Sequence, residues 1–80
     1  MKTVSYTTRA MRERRKLPAK VQTRIDNALQ RYARTGEGDV KRLSGTEGLR
    51  LRVGDYRAVF TETEDAIEIR AVRHRKEAYK

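Results

Sequence analysis

Between Ala19 and Thr35 the apolar residues Val21, Ile25, Ala28, Leu29 and Tyr32 recur at spacings of four, three, one and three. Those spacings gather them on one face of a helix with about 3.6 residues per turn. Pro18 suits the first turn of that helix, and Gly36 and Gly38 stop it. Further along the chain the period changes to two. Leu49-Arg50-Leu51-Arg52-Val53 alternates apolar and basic residues, Gly54-Asp55 makes a tight turn, and a second strand follows at 56–61. That strand puts Tyr56, Ala58 and Phe60 on one side and Arg57 on the other. A last strand at 66–72 is expected to bury Ile67, Ile69 and Ala71.

The ends of the pattern are weaker. Lys2 to Tyr6 reads as a short first strand contributing Val4 and Tyr6, and Thr7 or Thr8 caps a helix that runs to about Lys16. The apolar side of this helix is thin, with Ala10 and Met11 and then Leu17 at its end. Arg14 stands where a core residue is expected. Residues 36–48 read as a loop anchored by Val40 and Leu43, with Gly45 and Gly48 as turn residues. The order β-α-α-β-β-β defines an α+β fold, two helices packed on one face of a small antiparallel sheet whose other face is open. Eighty residues make a single domain, 1–80.

Charge changes the picture. Twenty Lys and Arg against eleven Asp and Glu leave a formal charge of +9, which draws the protein toward polyanions or acidic protein partners. Leu, Ile, Val and Phe number fifteen of the eighty residues, so the core is small and an acidic or polyanionic partner is expected to stabilise it. No apolar run approaches the roughly 20 residues of a membrane span. The first residues lack the apolar stretch of a secretory signal, and a soluble cytoplasmic protein is expected. The lack of cysteine excludes thiolate metal sites, the single histidine argues against a histidine-based one, and no cofactor is expected.

Candidate chemistry follows from the strand alternation. If Leu49, Leu51 and Val53 face the core, Arg50 and Arg52 project from the open side, and Arg57 joins them from the next strand. Guanidinium groups match phosphate oxygens bidentately, although a charged sheet face also simply serves solubility. His74, Arg75 and Tyr79 follow the last strand. Beside the arginines they complete a set for RNA cleavage through the ribose 2′-OH: a base, cations for the phosphorane and an acid for the leaving oxygen. The first helix carries five cations in eight residues, and Arg12 and Arg15 on it are candidate RNA contacts beyond a solvated face. The acids at 62, 64 and 65 read as protection of a hairpin edge.

Across nearly its whole length the chain resembles the RelE/ParE family of toxins from type II toxin–antitoxin systems. The resemblance rests on Lys16-Leu17-Pro18 at the end of the first helix, Lys41-Arg42-Leu43 leading to Gly48, Leu49 through Arg57, and the closing Val72 to Tyr79. It implies a toxin held inactive by a cognate antitoxin. In the RelE branch the toxin cleaves messenger RNA on the ribosome, and the family's functional positions fall here on Arg50, Arg52, Arg57, Arg75 and Tyr79. Two departures stand out. The second-strand basic residues are arginine where lysine is frequent, and arginine, with a pKa above about 12, is a poor base. That leaves His74 or Tyr79 as proton acceptor. Arg73 stands where the family usually has glycine. The expectation is therefore a ribosome-dependent messenger RNA endonuclease. The alternatives are a ParE-like inhibitor of DNA gyrase, which is not a nuclease, and a basic RNA- or ribosome-binding module without turnover.

Overall fold

A computed structural model describes residues 1–45 and 48–74. Seven elements follow one another: β1 (Thr3–Tyr6), α1 (Thr8–Arg15), α2 (Ala19–Thr35), β2 (Val40–Arg42), β3 (Leu49–Val53), β4 (Tyr56–Glu62) and β5 (Ala66–His74). Local chemistry sets the boundaries. The Thr7 hydroxyl accepts a hydrogen bond from the Ala10 N–H at 3.1 Å and caps α1. At the far end of α2, Gly36 takes the left-handed conformation at φ +76°, and its N–H returns to the Tyr32 carbonyl at 2.8 Å.

The strands form one sheet in the order β1-β5-β4-β3-β2. Three neighbouring pairs are antiparallel, but β1 lies parallel to β5, with Val4 opposite Ile67 and Tyr6 opposite Ile69. The sheet is therefore mixed rather than antiparallel. The reason is topological: the chain leaves β1 through the helices and the other strands, and its last strand enters the middle of the sheet beside β1. A fifth strand also appears inside the stretch expected to be a loop. Val40, Lys41 and Arg42 pair with Leu51, Arg50 and Leu49, an element too short for a period of two to register in the sequence.

The core sits between the helices and one sheet face. Ala10, Ile25, Leu29, Leu51, Ala58, Phe60, Ile67, Ile69 and Val72 are buried there, and the Tyr32 ring meets Phe60 edge-on at 5.5 Å. Its polar flank is fully paired. Arg14, the residue that looked misplaced, reaches from α1 to Asp26 of α2 with two N–H groups and donates a third hydrogen bond to Gln22 at 2.8 Å. The Tyr6 hydroxyl donates to the same carboxylate at 2.6 Å. Arg14 holds the Asp26 carboxyl below its usual range despite partial burial, whereas burial and the neighbouring carboxylate push the Tyr6 phenol up. Glu62 is not an edge residue. It accepts from Lys2 at 2.6 Å and from Tyr32 at 2.8 Å, on the helix side of a strand with neighbours on both sides.

Candidate nucleic-acid interface

The face of the sheet turned away from the helices collects the cations. Residues directly opposite in an antiparallel pair share a face, with Cβ atoms about 4.5–5.5 Å apart. Arg52 lies opposite Arg57, and Arg57 opposite Arg73, so three guanidinium groups form a row across β3, β4 and β5. One step along, Lys41 lies opposite Arg50, Arg50 opposite Val59, and Val59 opposite Ala71. Each of these cations alternates with a core residue on its own strand, notably Leu51 and Ala58. Burying Leu51 and Ala58 thus commits Arg50, Arg52 and Arg57 to the opposite side.

Two features separate this face from an ordinary solvated one. Arg50 Nη1 is buried, and among the described residues it has no hydrogen-bond partner. An unsatisfied buried donor costs about 1–3 kcal/mol, more when charged, which an anionic oxygen would recover. Among the residues of the five strands, the register puts one carboxylate on this side, Glu68, and Arg70 pairs with it at 3.0 Å. Among the described strand residues, the register therefore places no carboxylate within the row Arg52–Arg57–Arg73.

The expected site is brought together only in part. Arg50, Arg52 and Arg57 converge as anticipated. Arg75 and Tyr79 lie outside the described residues. Arg12 and Arg15 are exposed on α1, in the helical layer, away from the row. His74 is on the opposite face. It lies across from Tyr56, the two rings meet edge-on at 5.0 Å, and it lines a cavity of about 140 Å³ with Glu13, Lys16, Leu17 and Val72. A proton acceptor role among the arginines does not fit that position. The cause is a register shift. Val59 pairs with Ala71 but Phe60 pairs with Ile69, which leaves Arg70 as an extra residue in β5. Such a bulge sends every later side chain to the other face. Ala71 and Arg73 therefore move to the open side, while Val72 and His74 turn toward the helices.

The same shift supplies the residue that sequence reading missed. Arg73, noted only as a departure from glycine, completes the row. The signal was present but ambiguous: Val72 is as good a core residue as Ala71, and placing it inside requires the shift. Two neighbours hold the bulge. The Thr7 N–H donates to the Ile69 carbonyl at 2.8 Å, and Glu13 accepts the Val72 N–H at 3.0 Å. Among the described residues no group of three or more His, Cys, Asp or Glu could hold a metal ion, and no helix is long and apolar enough to cross a membrane.

A small mixed sheet, two helices on one face and a row of arginines on the other describe a toxin of the RelE/ParE type. The family model for the ParE toxin of type II toxin–antitoxin systems, parDE, matches residues 4–79, and the chain belongs to this family. Solved structures agree in fold. RelE in the RelB–RelE complex from Methanococcus jannaschii is 24% identical, with 92% of this chain and 93% of that one covered and a TM-score of 0.76. RelE in the complex from Pyrococcus horikoshii OT3 is 22% identical, with 92% and 94% covered and a TM-score of 0.77. The YoeB dimer from Staphylococcus aureus is 18% identical, with 91% and 95% covered and a TM-score of 0.76. No curated protein sequence matches the chain.

Proposed function

We propose that this toxin is a messenger RNA endonuclease acting on the ribosome, and that a cognate antitoxin neutralises it. The observation that carries the reading is the Arg52–Arg57–Arg73 row beside the buried, unpartnered Arg50 N–H. Three guanidinium groups on neighbouring strands place several donors within reach of one anion. A phosphate in a cleavage transition state, carrying extra negative charge, fits such a group of donors better than its ground state does. Arg57, at the centre of the row, takes the phosphorane charge, a role shared with Arg75. Arg50 and Arg52 hold the RNA backbone, and Tyr79 moves the proton. Two of the similar toxins named above were solved with a RelB antitoxin, and a chain of net charge +9 suits an acidic antitoxin that covers the same face.

One observation favours a second reading. Among the described strand residues the row lacks a proton acceptor, because His74 turns away, and the matching family model is that of the ParE toxins. In that reading the cationic face binds its target without cutting RNA, and the target is DNA gyrase. Induced expression followed by mapping of transcript 5′ ends separates the two. New ends inside translated reading frames, lost in Arg57→Ala and Tyr79→Phe, support the nuclease. Intact transcripts with gyrase-dependent DNA breaks overturn it.

A further inference from the structure

Three of the seven helix arginines are matched by a carboxylate, Arg14 by Asp26, Arg31 by Glu37 and Arg9 by Glu13, and Arg12, Arg15, Arg24 and Arg34 make no ion pair among the described residues. Arg24 of α2 stands out among the unpaired four by its position. It is exposed, it makes no ion pair among the described residues, and its guanidinium lies against the β3–β4 turn. A Cβ built on Gly54 would sit 3.1 Å from its Nη2 and 3.6 Å from its Nη1. The φ of +59° at this turn favours glycine, and the Arg24 guanidinium rests close to it. A second guanidinium reaches this turn from the other side of the sheet, since Arg52 Nε donates to the Gly54 carbonyl at 3.3 Å. Asp55, the other residue of the turn, pairs with neither.

We infer that the polyanion path does not stop at the sheet but bends around the β3–β4 turn onto α2, where Arg24 is a further phosphate contact for single-stranded RNA. The inference rests on the reading that the open face binds RNA. Arg52 is the link, because it belongs both to the Arg52–Arg57–Arg73 row and to the turn on which Arg24 rests. Two like charges held at one turn, with Asp55 paired to neither, repel, and a phosphate beside them lowers that repulsion. A guanidinium resting against a turn also has less freedom to lose on binding than one reaching freely into solvent.

The test is binding of a short fluorescein-labelled single-stranded RNA of mixed sequence, followed by anisotropy over a range of salt. Arg34→Ala, another exposed cation of α2, reports the effect of losing one charge anywhere. Arg24→Ala is expected to weaken binding about threefold beyond Arg34→Ala and to lower the salt slope by about 0.7. Arg24→Lys should restore the slope and only part of the affinity. If Arg24→Ala matches Arg34→Ala while Arg52→Ala and Arg57→Ala bind more weakly, the path ends at the sheet and this inference falls alone. Should none of the four differ from one another, the open-face reading falls with it. Melting followed by circular dichroism confirms that each variant is folded.

Discussion

The two faces of the sheet set the same residue type in opposite surroundings. On the helix side, Arg14 is four-fifths buried, and a carboxylate, a glutamine and a tyrosine ring surround it. Lys2, likewise, is tied to Glu62. On the open side, Arg52, Arg57 and Arg73 stand in one row across three strands. On the helix side the fold supplies these cations with a counter-charge, whereas on the open side the register gathers cations beside one another.

Substitution on each face should break that symmetry in opposite directions. Arg57→Ala is expected to lower RNA cleavage about 10²–10³-fold, the loss seen when one transition-state donor is removed, with little change in unfolding midpoint. Arg14→Ala should do the reverse. Losing charged hydrogen bonds to Asp26 costs about 2 kcal/mol in urea unfolding, while cleavage by the folded fraction stays near the parent value. Equal losses of cleavage per folded molecule in the two variants would dissolve the distinction between the faces.

The difference in legibility follows the same line. The α2 stripe and the alternation from Leu49 to Phe60 were readable because each buries a regular face, and a regular face leaves a period in the sequence. Both were found where expected, and so were Arg50, Arg52 and Arg57 on the open side. What escaped depends on contacts between distant residues. The parallel pairing of β1 with β5 leaves no local trace, and three residues of β2 are too few for a period. Arg14 looked wrong as a core residue because its partner, Asp26, lies on the next helix. The bulge at Arg70 defeated the assignment of His74, since one extra residue inverts the alternation that follows it.

Acid should sharpen the contrast by acting on the helix side first. The Asp26 carboxyl is held down chiefly by its hydrogen bonds to Arg14; burial opposes the Glu62 charge, but Lys2 and Tyr32 outweigh it. Both carboxyls therefore have folded pKa values below their ordinary 3.8 and 4.5. A depressed carboxylate contributes stability that is complete above its unfolded pKa and disappears as pH falls through the folded one. Urea midpoints of the parent and of Asp26→Asn should thus differ most at neutral pH and draw together below about pH 4. A constant gap across that range would show that the Arg14–Asp26 charge pair adds nothing beyond its shape.

The smallest expected effect joins the two faces. Past Tyr6, among the described residues, the outer edge of β5 has no strand beside it, and Glu13 takes the Val72 N–H that a strand would otherwise accept. This hydrogen bond lies just beyond the extra residue Arg70, so it favours the register that turns Arg73 outward and His74 inward. Glu13→Ala removes the acceptor and costs about 1 kcal/mol, whereas Glu13→Gln keeps an oxygen there and costs less. Stability alone does not test the idea, because any lost hydrogen bond lowers it. The edge-on contact between the Tyr56 and His74 rings does, since it exists only in the shifted register. In Glu13→Ala the ring-current shifts of His74 should weaken and the Val72 amide should exchange faster. Glu13→Gln should keep both near the parent. If His74 keeps its ring-current shift in the alanine variant, the strand holds its own register, and Glu13 merely covers an edge.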